Sequence, residues 1–220
     1  MSSDTKKFSL WDLFWTIFWF FILIVVMVKF LFFQHVTVVG KSMFPNYDDG
    51  QLLIVNQINK DFARGQVVAV YSDPEVARDA SYFTRFSARF FLKRVIGLPG
   101  ESIEILGGNV IIYNQENPNG TLLEEKYIPE STIQTEDDRE YYLPKTDIPL
   151  DSYFVMGDNR SNSTDSRSSS LGTIKDYAMF GKETLRIWPI NDLETFETPS
   201  YSFKPITNKI EEKREIFANK

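Results

Sequence analysis

SIEILGGNVIIY, residues 102–113, consists of two short runs of apolar and β-branched residues joined by a two-residue glycine link. Such a link between two strand-like runs signals a hairpin, because glycine readily takes the positive φ of a tight turn. The pattern continues outward on both sides. VTVV at 36–39, LLIV at 52–55, VVAVY at 67–71 and FLKRVI at 91–96 come before it; YFVMG at 153–157 and LRIW at 185–188 come after. Asp49-Gly50, Arg64-Gly65 and Pro99-Gly100 mark turns between them. No internal repeat is visible. The expected fold is mainly β, with several short antiparallel strands in one or two curled sheets.

Three stretches fall outside this pattern. Residues 72–90 have room for a short helix. Residues 114–150 are polar, acidic and turn-rich, and read as an inserted loop or small subdomain. The tail, 204–220, is highly charged and reads as a frayed helix or disorder rather than core.

The N-terminus carries the strongest single signal. Residues 13–28 read LFWTIFWFFILIVVMV, then Lys29, then apolar residues to Phe33. At ~1.5 Å per residue the run crosses a hydrocarbon core of about 30 Å. Trp11, Trp15 and Trp19 form an aromatic belt near one end, and Lys29 can snorkel at the other. A removable signal peptide would be shorter and end in a small-x-small site; a buried core helix is rarely this apolar. The expected organisation is a cytoplasmic N-terminus at 1–12, a single-pass anchor at 13–33, an extracytoplasmic β-rich domain at 34–203 and the tail at 204–220. Lys6 and Lys7 ahead of the span support that orientation, although Asp4, Asp12 and Lys41 dilute the asymmetry.

Composition narrows the chemistry. The 220 residues include no cysteine, which excludes disulfides, thiolate metal sites and a cysteine nucleophile. A net charge of −6 argues against nucleic-acid binding. The one histidine, His35, rules out a multi-histidine metal site and leaves a Ser-His-Asp hydrolase a single choice of base.

Three islands hold candidate chemistry. In the first, Gly40-Lys41-Ser42-Met43-Phe44-Pro45, a serine between a strand-like run and a proline turn can present both its hydroxyl and its backbone N–H. By itself such a serine is more often a turn residue. In the second, Phe91, Lys93 and Val95 share one face of a strand and Leu92, Arg94 and Ile96 the other. Burying the Lys93 face would lower the amine's pKa by up to ~3–5 units, giving a neutral base. The commoner role of a strand lysine is to guard a sheet edge. The third runs from Gly157 to Arg167 (GDNRSNSTDSR), where Asp158, Arg160, Asp165 and Arg167 can pair internally and the Ser163 hydroxyl can orient an amine. A flexible serine-rich linker is the plainer alternative.

Taken together and in order, the islands resemble the type I signal peptidases. Ser42 to Pro45 match that family's Ser-Met-x-Pro motif. Lys93 to Gly100 match Lys-Arg-Val-x-Gly-x-Pro-Gly, and Gly157 to Arg167 match Gly-Asp-Asn-Arg-x-x-Ser-x-Asp-Ser-Arg. The resemblance runs from the anchor to Arg186-Ile187-Trp188-Pro189 and leaves the inserted loop and tail uncovered. It implies a β-rich catalytic domain of coiled antiparallel sheets, with Ser42 as nucleophile, Lys93 as general base and Ser163 orienting the lysine. Asp158, Asp165 and Arg167 would brace the site. The Ser42 N–H would form the oxyanion hole; some members add a hydroxyl two positions earlier, where Gly40 stands here and a main-chain N–H or water must serve. Val38, Val39 and Met43 would help line small apolar substrate pockets. Asn46 replaces the threonine usual after the motif proline. No cofactor or metal is implied; the partners are signal-peptide-bearing preproteins, the lipid bilayer and protein export machinery. A self-cleaving repressor would need a DNA-binding domain where the span lies. A fibre-assembly relative or an anchored β-module would not need both Ser42 and Lys93. The motifs are common to housekeeping and dedicated processors.

Overall fold

The computed structural model describes residues 9–79, 88–128, 141–195, 198 and 201–218. In chain order the elements are α1 (Leu10–Phe32), β1 (Phe33–Thr37), β2 (Leu52–Asn56), β3 (Val67–Tyr71), α2 (Pro74–Asp79), β4 (Phe90–Gly97), β5 (Ser102–Leu106) and β6 (Asn109–Tyr113). There follow β7 (Thr121–Glu124), β8 (Tyr142–Asp147), β9 (Ser152–Met156), β10 (Ile174–Lys175), β11 (Met179–Trp188), β12 (Glu194–Thr195), β13 (Ser202–Lys204) and α3 (Asn208–Ala218).

A capping box sets the start of α1. Ser9 Oγ accepts the Trp11 N–H, and Asp12 accepts the Ser9 N–H at 3.0 Å. The helix therefore begins three residues ahead of the expected span. Residues Leu10–Lys29 have a mean hydropathy of 2.2, and none of this stretch is buried against the rest of the chain. A helix apolar all round that finds no protein partner is consistent with a membrane anchor. It passes directly into β1, so helix and sheet are joined without a linker.

The strands form two antiparallel sheets. The larger runs β1-β2-β11-β3-β4-β9-β10, with β12 added to β11, and curls into a half-barrel; the smaller runs β13-β7-β6-β5-β8. The β5–β6 hairpin has Leu106 facing Asn109 across Gly107 and Gly108, both at positive φ as the sequence predicts. Apolar residues of both sheets meet in one core, in which Ile96, Phe154 and Met156 of the larger sheet pack with Ile103, Ile105, Val110 and Ile112 of the smaller.

Two regions differ from the sequence reading. Part of the expected insertion at 114–150 belongs to the fold: β7 pairs with β6 and β8 pairs with β5. The short β7 run TLLE lies among turn residues, and β8 alternates weakly, so neither stands out by pattern. The tail also docks. Ile206, Ile210 and Phe217 cover Leu106 and Ile111, while Arg214 pairs with Glu104 at 2.8 Å. One apolar stripe on a charged helix suffices to hold it. The helix expected within 72–90 is α2; residues 80–87 of that stretch, and 129–140 of the insertion, lie outside the described residues.

Candidate active site

Each island has its own structural support. β4 lies in the interior of the larger sheet, between β3 and β9, and this buries Lys93 to 2 % exposure. Val38 extends the pairing of β1 by accepting the Gly50 N–H and donating to Gln51 O. At Gly40, with φ at 81°, the chain turns away from the sheet and presents Ser42 half-buried. The third island follows β9 directly, so it emerges beside β4.

Lys93 Nζ donates to Ser42 Oγ at 2.8 Å. Burial pushes the Lys93 amine down to about 8; Asp165 and Asp158 oppose this, and Arg167 assists it. The ring of Phe91 covers the amine at 5.6 Å. When the amine is neutral, the same contact lets the serine hydroxyl donate to nitrogen. His35 lies exposed on β1.

The third island is held against the first. Asn159 N–H donates to Ser42 O at 3.0 Å, and Asn159 Nδ2 donates to Lys41 O at 3.0 Å. Gly157 must be glycine, since a Cβ there would run into Ser163 Oγ and the Ser42 carbonyl. Ser163 Oγ is buried and makes no well-formed hydrogen bond among the described residues. It lies near enough to Asp165 to help keep that carboxyl ionised. Burial would raise the Asp165 pKa, but the Arg167 guanidinium, the Gly157 N–H and Ser163 hold it below the usual value. Arg167 meets both Asp165 oxygens, at 2.8 and 2.9 Å.

The pairing within this island differs from expectation. Only Asp165 and Arg167 pair internally. Asp158 takes the guanidinium of Arg94, with Nε–Oδ1 at 2.8 Å and Nη2–Oδ2 at 2.5 Å, and Arg160 takes Glu125. The alternation along β4 explains the first pair: Lys93 faces Ser42, so Arg94 points to the other side, where Asp158 lies. Asn46, noted in the sequence only as a replacement for the threonine usual after the motif proline, also supports the site. Its Nδ2 donates to Asp158 at 2.8 Å and to Tyr127 O at 3.1 Å, and its carbonyl accepts from Arg186 at 2.9 Å. Tyr47 donates its hydroxyl to Glu183, whose carboxyl burial pushes up to about 8. Asn46, Tyr47, Arg94, Tyr127 and Glu183 line a cavity of about 600 Å³ behind the nucleophile loop; neither Ser42 nor Lys93 reaches it.

The proposed pocket residues separate by exposure. Val38 and Met43 are 3 % and 1 % exposed and pack with Tyr47, Leu53, Val67 and Leu92 beneath the loop, so they offer a substrate almost no surface. Val39 is 81 % exposed, because neighbours on an extended chain point to opposite sides. Gly40 gives its N–H to Asp49 Oδ1 at 2.6 Å, which leaves open space rather than a donor at that position.

The arrangement has relatives. The family profile described as signal peptidase, peptidase S26, matches residues 10–188. A signal peptidase I from Leptolyngbya laminosa is 36% identical over 166 residues, covering 74% of this chain and 72% of that protein. One from Bacillus caldolyticus is 35% identical over 179 residues, covering 78% and 88%. A crystal structure of a signal peptidase I from Enterococcus faecalis is 26% identical and covers 56% of this chain and 96% of its own, with a TM-score of 0.39. With a profile match over most of its length and relatives above 30% identity on both measures of coverage, the chain belongs to the signal peptidase family, peptidase S26.

Proposed function

We propose that the chain works as a type I signal peptidase, a serine endopeptidase that cuts signal peptides from exported preproteins after small residues. The observation that carries this reading is the 2.8 Å contact between Ser42 Oγ and a lysine that is 2 % exposed and titrates near 8.

Neutral Lys93 takes the Ser42 proton as Oγ attacks the scissile carbonyl. The negative charge that forms on the carbonyl oxygen is held by the Ser42 N–H. Lys93, now an ammonium, gives its proton to the leaving amine as the acyl-enzyme forms. Lys93 then activates water, which releases the acyl group and frees Ser42. Ser163 orients the amine with its uncommitted hydroxyl. Asp165, paired with Arg167, lies beside Ser163; at Lys93 the Asp165 charge favours the ammonium and that of Arg167 opposes it. Val39, exposed beside the loop, contributes to the substrate surface.

The anchor places this chemistry at the bilayer. Ser42 lies ten positions beyond the end of α1, so at ~3.3–3.6 Å per residue it lies within about 35 Å of the helix terminus. Substrates held by their own apolar segments and delivered by export machinery would meet the domain on the extracytoplasmic side. Incubating the detergent-solubilised protein with a preprotein tests the reading. Wild type should release the mature protein at one bond after a small residue, and Ser42→Ala should release none. Equal cleavage by Ser42→Ala would overturn the nucleophile assignment.

A further inference from the structure

Residues 125–127 leave β7, in the smaller sheet, and touch the second and third islands and Asn46, which directly follows the first. Both carboxylate oxygens of Glu125 engage Arg160, with Nη1–Oε2 at 2.6 Å and the second contact from Nη2. The two side chains are 8 % and 6 % exposed. The Tyr127 hydroxyl donates to Glu125 Oε1 at 2.6 Å and accepts from Arg160 at 3.3 Å. The Tyr127 carbonyl accepts Asn46 Nδ2, four residues past the nucleophile, at 3.1 Å. The Tyr127 ring lies 4.1 Å from the guanidinium of Arg94, next to Lys93 on β4.

Arg160 carries the contact onward. Its Nε donates to Gly157 O at 3.2 Å, and its carbonyl accepts Arg167 Nη2 at 2.6 Å. Gly157 N–H donates to Asp165 at 2.9 Å. Of the groups reached this way, Gly157 and Asp165 lie beside Ser163, and Asp165 and Arg167 act electrostatically on the Lys93 amine.

We propose that Glu125 and Tyr127 are positioning residues for Ser42 and Lys93, acting through Arg160, Asn46 and Arg94. The inference rests on the serine–lysine reading above. A buried, bidentate carboxylate fixes Arg160 in one orientation. Without it the Gly157 turn loses its brace, and small misplacements near the reacting atoms are costly to rate.

The test uses full-length protein in detergent and a fluorogenic peptide bearing a small residue before the scissile bond. Glu125→Gln keeps the shape and removes the charge; it should lower kcat between about tenfold and about a hundredfold with KM within about twofold. Tyr127→Phe removes only the hydroxyl and should lower kcat by about threefold or more. Adding Arg160→Gln to Glu125→Gln should cost little further, since the two act as a unit. If Glu125→Gln does not fold, Tyr127→Phe decides, because its ring and backbone contacts remain. Folded variants with wild-type kcat, or with losses confined to KM or thermal stability, would overturn the proposal. Ser42→Ala in the same assay separates the two levels: inactivity there upholds the serine–lysine reading whatever the Glu125 and Tyr127 variants do, whereas retained cleavage would remove both.

Discussion

Arg94 and Asp158 form a buried bidentate ion pair one residue along β4 from Lys93, with side chains 6 % and 1 % exposed. The same carboxylate accepts from Asn46, so a single charge ties β4 to the loop after Ser42. Asp158→Asn leaves the Arg94 guanidinium buried without its counter-charge. The expected cost is about 3–5 kcal/mol. Chemical unfolding of the variant should show it; a change under about 1 kcal/mol would mean the pair is not a main support.

Lys93 fixes the pH dependence. As the proposed general base it must be neutral to act, so kcat should rise about tenfold per pH unit below the Lys93 midpoint and level off above it. That midpoint lies at about 8, in place of 10.5 for an ordinary lysine. The sign for stability is the same. Between those two values the unfolded chain binds a proton that the folded one does not, so stability rises with pH across that window. Below it the buried lysine costs the fold about 3 kcal/mol. Lys93→Met should therefore stabilise the protein at neutral pH and abolish cleavage. Lys93→Arg should be equally inactive, since guanidinium keeps its proton. Substantial activity in either variant would make Lys93 structural only.

Ser163→Ala separates orienting from binding. The hydroxyl is buried beside Gly157. Its loss should lower kcat about tenfold or more with little change in KM. An effect confined to KM would move Ser163 to the substrate site.

The chemical part of the site was more legible in the sequence than its framework. Phe91 and Val95 on its face made Lys93 a candidate buried base, and a proline turn made Ser42 a candidate nucleophile; each pattern alone favoured a plainer role, and the roles came from the resemblance carried by the three ordered islands. The Arg94–Asp158 and Arg160–Glu125 pairs join residues 64 and 35 positions apart, and no local pattern encodes them. The hairpin at 102–113 was evident because two glycines mark its turn. β7 and β8 were not, because their apolar residues become a pattern only once β5 and β6 are beside them. The 204–220 tail read as a frayed helix or disorder because Ile206, Ile210 and Phe217 are spaced among charges, and they have meaning only against Leu106 and Ile111.

Met43 and Val39 should respond differently to truncation. Met43 is buried in the apolar cluster beneath the loop, so Met43→Ala should destabilise the protein by about 2–5 kcal/mol. Val39→Ala removes an exposed side chain and should change stability by less than about 0.5 kcal/mol. If Val39 borders the substrate, its variant should shift KM among peptides of differing size before the scissile bond. Stable Met43→Ala protein with altered specificity would return Met43 to the pocket.

Removing residues 1–32 should leave a folded domain that cleaves soluble peptides but handles membrane-tethered precursors poorly. The span from Leu10 to Lys29 is not buried against the rest of the chain, so its loss should open no cavity in the core. The cut falls at the helix boundary because Phe33 and Gln34 pair with Asn56 and Val55; a later cut would strip β1 from β2. Ser42, Lys93 and Ser163 all lie beyond it, so turnover of a short peptide should stay within about threefold of the full-length protein. Tethering is what disappears. Two molecules held on one surface meet at a far higher effective concentration than they do in solution, and only the full-length protein has that advantage. The measurement compares both forms on a soluble peptide and on a precursor in vesicles, after circular dichroism and sedimentation have shown the fragment folded and soluble. Equal rates on the vesicle substrate would mean the anchor adds nothing to processing. A folded fragment inactive even on peptide would make α1 part of the catalytic structure.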